Sequence, residues 1–178
     1  MFLKTQRLAF RRLRSDDFDN LCKILQDEKA MYAYEHAFSD EEVKEWLDKQ
    51  LARYRIYGFG LWAVTLRETG EFIGQCGLTV QNTDQGQALE IGYLFRREFW
   101  HCAYATEAAQ ACKKFAFETL GAKEVCSIIR KNNLPSRKVA ERNGMTVKGE
   151  FVKHYYGMDM PHLIYSATNE RAGNKNGN

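Results

Sequence analysis

Two stretches of this chain carry residue types at spacings that suit chemistry. The first is Phe95-Arg96-Arg97-Glu98-Phe99-Trp100-His101-Cys102-Ala103-Tyr104-Ala105-Thr106-Glu107-Ala108, which runs from an apolar strand through a short loop into a long helix. A helix start leaves backbone N–H groups unpaired and carries partial positive charge, so this is the local geometry of a phosphate or pyrophosphate site. The second is Glu90, inside the apolar strand that leads into that loop. Alternation puts Glu90 and Gly92 on one face of the strand and Leu89 and Ile91 on the other. A carboxylate on a central strand is costly to bury unless it is paired or solvated, which argues for a cleft or for a neighbouring arginine. Further on, Asn133 and Ser136 bracket Pro135 at a helix start, where both residue types are common caps.

These residues need elements to position them. Leu8 to Leu13 alternates as a strand, and Ser15 is expected to cap a helix with the stripe Phe18, Leu21, Cys22 and Leu25. Ser39 with Glu42 makes a capping box before a second helix carrying Val43, Trp46, Leu47, Leu51 and Tyr54, which ends at Gly58 and Gly60. Strands follow at Leu61 to Leu66, Phe72 to Val80 and Ala88 to Phe95, with a polar loop from Asn82 to Gly86. The long helix, about Tyr104 to Leu120, has Ala105, Ala108, Ala109, Cys112, Phe115 or Ala116, and Leu120 as its buried stripe, with Gly121 as C-cap. Then come a strand from Val125 to Ile129, a helix with Pro135 in its first turn and Gly144 at its end, and a strand pair at Thr146 to Lys153 and Leu163 to Ser166. The order is that of a mixed α/β domain and not of a regular βαβ repeat. Residues 1–168 are expected to form one domain and 169–178 a frayed polar tail.

Composition bounds the rest. A chain of 178 residues, 44% hydrophobic and 28% charged, suits one soluble globular domain with a full core. No apolar run approaches the length of a membrane span, and the N-terminus reads as a strand and not a signal peptide, so a cytoplasmic protein is expected. Five cysteines without a CxxC pair argue against a disulfide scaffold or a metal site. A net charge of +3 does not argue for nucleic acid. Its distribution does suggest partners: residues 35–48 are acid-rich, suiting a cationic substrate, and 96–142 are base-rich, suiting an anionic cofactor.

Four stretches, in order, resemble the GCN5-related N-acetyltransferases, in the branch of ribosomal-protein alanine and serine N-terminal acetyltransferases. Phe72-Ile73-Gly74-Gln75-Cys76-Gly77-Leu78 resembles the family's third strand, and Leu89-Glu90-Ile91-Gly92-Tyr93-Leu94-Phe95 its fourth. Phe99 to Ala108 resembles the W-G-K-G-Y-A-T-E-A run, and Asn133-Leu134-Pro135-Ser136 on to Asn143-Gly144-Met145 resembles N-x-x-S…G-F. The resemblance covers most of residues 7–166. It implies an α/β (α+β) domain with a mixed, mostly antiparallel sheet splayed at the cofactor site and flanked by about four helices. It also implies direct transfer of acetyl from acetyl-CoA to a primary amine in a ternary complex.

By the same resemblance, the backbone from His101 to Thr106 (His101, Cys102, Ala103, Tyr104, Ala105, Thr106) holds the pyrophosphate. The peptide groups of Ile91, Gly92, Tyr93 and Leu94, with a β-bulge expected at Gly92, hold the pantetheine arm together with Asn133. Glu90 is the general base. Ser136 is the general acid, with Tyr156 or Tyr155 in reserve, and His154 is an alternative base. Two positions depart from the pattern: His101 stands where glycine lets phosphate approach the backbone, and Cys102 replaces the usual lysine. The imidazole either points outward or donates to a phosphate oxygen, and Arg96 and Arg97 are candidates to replace the lost charge. Tyr32, Tyr34, Trp46 and Tyr54 are candidates to line the amine side, with Glu35, Glu41 or Glu42 attracting a cation. The acceptor is a protein N-terminus, possibly ribosomal in that branch, or a small amine, and the enzyme a monomer or homodimer. The alternatives are a non-catalytic acyl-CoA binder of the same fold and, least favoured, a nucleic-acid-binding module.

Overall fold

The computed structural model describes residues 3–34, 36–83, 86–155 and 157–170. The elements are β1 (Leu3–Lys4), β2 (Leu8–Arg12), α1 (Phe18–Leu25), α2 (Asp40–Tyr57), β3 (Leu61–Leu66), β4 (Phe72–Thr83), β5 (Gly86–Phe95), α3 (Tyr104–Glu118), β6 (Glu124–Arg130), α4 (Leu134–Arg142), β7 (Thr146–Tyr155) and β8 (Met158–Thr168). All eight strands join one open sheet in the order β1-β2-β3-β4-β5-β6-β8-β7. Every neighbouring pair is antiparallel except β5 with β6. Among the described residues no helix is long and apolar enough to cross a membrane.

The two sheet faces are covered by different helices. On one, Trp46 of α2 donates its indole N–H to Gln75 of β4 at 3.1 Å. On the other, Phe115 of α3 packs edge-on against Trp62 of β3, and Cys112 of α3 sits 3.5 Å from Cys76 of β4, sulfur to sulfur. Because side chains alternate along a strand, Gln75, Gly77, Thr79 and Gln81 share the α2 face, and Cys76 and Leu78 the α3 face. Leu8, Phe10, Leu21, Ile24, Trp62, Ile73 and Leu78 are fully buried, and this apolar burial is the main favourable term in folding.

Several boundaries differ from the sequence reading. Ser15 opens a short 3-10 turn, and Asp17 organises the approach to α1. The buried Asp17 carboxylate accepts from Arg14 N at 2.9 Å and pairs twice with Arg11, at 2.6 and 2.7 Å. Of the stretch read as a polar loop, Asn82, Thr83 and Gly86 are strand, since β4 and β5 stay paired as far as Thr83 opposite Gly86, and residues 84–85 lie outside the described residues. Both C-terminal strands run longer than their apolar cores: β8 begins at Met158, where Pro161 and the buried His162 interrupt the apolar alternation. Leu120 is 40% exposed and lies beyond α3. Asn169, assigned to the tail, donates its backbone N–H to Lys123 O at 2.8 Å and its side chain to Ala122 O at 3.3 Å.

Candidate active site

The parallel pair β5 and β6 makes the site possible. The β4–β5 ladder runs unbroken from Gly74 opposite Phe95 to Thr83 opposite Gly86, whereas β5 and β6 share one pair, Glu90 with Cys126. On its other edge β6 pairs along its whole length with β8, so the fork opens on the β5 side alone. The bulge expected at Gly92 is absent, and the splay needs none: Gly92 stays in register opposite Gly77. Side chains bridge the opening. Ser127 Oγ donates to Ile91 O at 2.9 Å, Ile128 N donates to Glu90 Oε1 at 3.3 Å, and Tyr93 OH reaches across to Ser136 O at 2.7 Å. Peptide groups point alternately to either side of a strand. With Ile91 O turned to β6, the peptides of Ile91 and Tyr93 face the opening, while those of Gly92 and Leu94 face β4.

Glu90 stands at the fork. Its Oε2 accepts from Thr79 Oγ1 at 3.0 Å and from Gln81 Nε2 at 2.7 Å, so these partners are neutral and no arginine among the described residues bonds it. Loss of water pushes its pKa up, and the bonds from Thr79, Gln81 and Ile128 only partly oppose that. The same electrostatics touch its surroundings. Burial and then the Glu90 charge raise the Cys126 thiol to about 12. A carboxylate with a raised pKa beside an open fork is a base of useful strength.

The loop before α3 holds backbone conformations that its residues disfavour. His101 and Ala103 have φ of 62° and 63°, the only non-glycine residues with positive φ among those described. The left-handed region costs an ordinary residue roughly 1–2 kcal/mol. These are the two positions at which the resemblance places glycines, so the loop keeps a glycine-type path without glycine. Ala103 is the N-cap of α3 and has no side chain to cap it, so the first-turn N–H groups are left to another acceptor. His101, Cys102 and Ala103 are exposed, and Tyr104, Ala105 and Thr106 half-buried. Arg96 and Arg97 do not replace the missing lysine: Arg96 is paired with Glu71 and Glu98, and Arg97 with Asp27.

One anchor of this loop went unread in the sequence. Glu107, in the first turn of α3, accepts from Thr5 Oγ1 at 2.5 Å, from Arg7 N at 3.0 Å and from Arg7 Nε at 2.7 Å. The Arg7 guanidinium also lies 4.4 Å from the centre of the Tyr104 ring. The clamp ties the N-terminal segment to the start of α3 and neutralises a carboxylate that would otherwise oppose an anion there. The available signal was Thr5-x-Arg7 ahead of the first strand together with an acid in the first turn of α3.

On the far side of the fork, Asn133 caps α4. Its Oδ1 accepts from Ser136 N at 3.2 Å and from Tyr32 OH at 2.6 Å, which leaves the Nδ2 donors as the part of the amide that a ligand could use. Ser136 is half-buried, and its hydroxyl makes no hydrogen bond among the described residues. The structure thus brings Glu90, Ile91, Tyr93, Asn133 and Ser136 around one opening, with residues 101–106 at the start of α3. Tyr156 and Glu35 lie outside the described residues. His154 is exposed and paired with Asp159 at the outer end of the β7–β8 hairpin. Tyr54 is buried, accepting from Leu13 N at 3.1 Å and donating to Leu61 O, so it belongs to the core and not to the amine pocket. Tyr34, Phe38 and Trp46 form an edge-packed ring cluster beside the site.

A sheet forked at a parallel pair, with an uncapped helix start behind it, is the arrangement the four motifs imply. The sequence profile of the "Acetyltransferase (GNAT) domain" matches residues 7–146. The chain belongs to the GNAT acetyltransferase family. It is similar to the Bacillus subtilis (strain 168) protein YkkB, 33% identical over 144 residues that span 80% of this chain and 84% of that one. Among solved structures, this acetyltransferase resembles a GNAT-family acetyltransferase from Bacillus anthracis at a TM-score of 0.82, with 23% identity and coverage of 94% and 98%. It also resembles RimL, a ribosomal L7/L12 alpha-N-protein acetyltransferase in complex with coenzyme A, at a TM-score of 0.75, with 17% identity and coverage of 92% and 95%. The fold is therefore shared well beyond detectable sequence likeness.

Proposed function

We propose that this GNAT acetyltransferase is an acetyl-CoA-dependent N-acetyltransferase that moves acetyl directly to a primary amine in a ternary complex. The observation that carries this reading is the solitary Glu90–Cys126 pair between β5 and β6, which sets a raised-pKa carboxylate beside open strand edges and an uncapped helix start. The residues fit coenzyme A. The left-handed backbone at His101 and Ala103 turns a loop toward the first-turn N–H groups of α3, an anion cradle for the pyrophosphate. Tyr93, one step past the Ile91 carbonyl that Ser127 occupies, presents its peptide groups to the opening for the amide-rich arm. When bound, the thioester supplies an activated acyl carbon and a thiolate leaving group.

This chain's residues would supply the proton handling. Glu90 takes up the proton that the incoming ammonium must lose, and its raised pKa brings it closer to the amine than an ordinary glutamate. Ser136, with an uncommitted hydroxyl, protonates the departing thiolate, and Tyr156 is the second candidate for that role. Thr79, Gln81 and Ile128 hold the carboxylate in place. The acceptor is a protein N-terminus, as the RimL likeness suggests, or a small-molecule amine. The reaction takes place in the cytoplasm, where Cys76 and Cys112 remain as thiols.

Thiol release from acetyl-CoA over a panel of amines and peptides tests the reading. Glu90→Gln is expected to lower kcat by about 10²- to 10⁴-fold and to remove the acid limb of the pH–rate profile, while acetyl-CoA binding persists. A protein that does not bind acetyl-CoA would refute the proposal. Binding with no transfer to any amine would instead favour the non-catalytic binder suggested by His101 and Cys102.

A further inference from the structure

The α2 face of the fork holds a cation without a counter-ion. Arg53 of α2 is half-buried, and its one hydrogen bond among the described residues goes from Nη1 to Gln50 Oε1, a neutral acceptor 3.2 Å away. No carboxylate of the described residues lies within ion-pair distance. Loss of water lowers its pKa, and the opposing influences come from Glu90, Tyr57 and Tyr34, which places the guanidinium within electrostatic reach of the proposed base. A guanidinium has five N–H donors and is costly to desolvate unpaired. Gln50 cannot meet the demand. Its Oε1 already accepts from Leu61 N at 3.1 Å as well as from Arg53, and its fully buried Nε2 has no partner among the described residues. Two donor-rich groups in contact with each other, both short of acceptors, stand on the face that carries Glu90.

We propose that Arg53 is the anchor for a carboxylate on the acetyl acceptor, so that the substrate class is a small amine bearing an acid group, of the amino-acid type. This rests on the acetyltransferase reading above. The two charges of such a zwitterion match the two ends of the site: the ammonium meets Glu90, and the carboxylate meets Arg53 in the forked geometry that guanidinium offers. The Tyr34, Phe38 and Trp46 rings wall the same side. A polyamine or other polycation would place a second positive charge against Arg53, with Lys153 also bearing on Glu90. Arg53 thus selects against polycations as well as for acids.

The test compares free amino acids, the same amino acids as carboxamides, and spermidine, by thiol release with acetyl-CoA saturating. Wild type is expected to acetylate the free acids with KM about 10- to 100-fold below that of the carboxamides, the range of a charge-assisted hydrogen bond lost beside a desolvated cation. Arg53→Met is expected to raise KM for the acids by the same factor, leave the carboxamides and KM for acetyl-CoA unchanged, and erase the preference. Arg53→Lys, which keeps the charge and loses the fork, is expected to fall between. Because Arg53 packs against Gly60, thermal melts of both variants accompany the kinetics. If Arg53→Met misfolds, the acid-versus-carboxamide comparison in wild type and Arg53→Lys decides. Equal KM for acids and carboxamides, or spermidine as the preferred substrate, would overturn the anchor while leaving N-acetylation standing. No transfer to any amine would remove the reading on which it rests.

Discussion

Glu107→Gln separates a clamp from an incidental surface contact. The variant keeps the side-chain shape and removes the charge that Thr5 and Arg7 share. The Arg7 ion pair is the lesser part: its side chains are 43% and 19% exposed, so solvent screens it to about 0.5 kcal/mol. The Thr5 hydroxyl and Arg7 N–H bonds to Oε1, at 2.5 and 3.0 Å, are the larger part: glutamine still accepts them, but each loses about 1–1.5 kcal/mol, the difference between a charged and a neutral acceptor. The sum is about 2.5–3.5 kcal/mol. For a chain of this size each kcal/mol moves Tm by about 2–4 °C, so a fall of roughly 5–14 °C at pH 7 is expected. The pH dependence is specific. Burial pushes the Glu107 carboxyl up, but the bonds from Thr5 and Arg7 outweigh it and hold the folded-state pKa below the ordinary 4.5. The stabilisation is therefore full above 4.5 and disappears as pH falls through the depressed folded value. Melts of wild type and variant from pH 7 down into the acid range should converge. Since the clamp fixes the start of α3, KM for acetyl-CoA should also rise several-fold, with KM for the amine unchanged. A variant melting within 1 °C of wild type at pH 7, or a deficit that persists undiminished in acid, would refute the reasoning.

Two further tests address the fold and the loop. A Cβ at Gly77 would lie 2.1 Å from Gly60 O and 2.8 Å from Leu61 Cα, whereas one at Gly58 meets nothing within 4 Å and bears only the strain of φ +78°. Gly77→Ala should cost about 3 kcal/mol or more and Gly58→Ala about 1 kcal/mol, measured by urea denaturation, and equal losses would contradict the close approach. Ala103→Val puts a β-branched residue at φ 63° and should abolish coenzyme A binding in calorimetry, whereas His101→Gly should tighten it and raise stability by up to about 1 kcal/mol. Tighter binding by the valine variant would rule out a phosphate role for this loop.

Local order was legible wherever a residue acts on its own chain neighbours. The Ser39–Glu42 capping box, the left-handed Gly58 ending α2, and Asn133 capping α4 need only the backbone within a turn, and all three are present. Element types were likewise readable from period, because a strand or helix with one apolar face advertises it. Boundaries slipped where the apolar alternation is interrupted, as at Pro161 and His162 in β8, or where a carboxylate took over a cap, as Asp17 did. The Gly74 and Gly77 pair was recognised as a motif, but its reason is steric and distant: Phe95 and Leu94 O crowd one, and Gly60 O the other.

The sequence by itself determined that an acidic residue would sit on the strand before the phosphate loop, and that the loop would open a helix, because both follow from local pattern. Only the tertiary structure decided what that acid faces. Glu90 finds Thr79, Gln81 and Ile128 N because β4 and β6 flank β5, a consequence of strand order that no local spacing encodes. The same holds for Glu107 with Thr5 and Arg7, about a hundred residues apart in sequence, and for Arg53, whose lack of a counter-ion shows only once α2 is laid over the sheet. Local propensity sets which groups are available. Long-range packing sets which of them lose water, which gain partners, and which are left to bind something else.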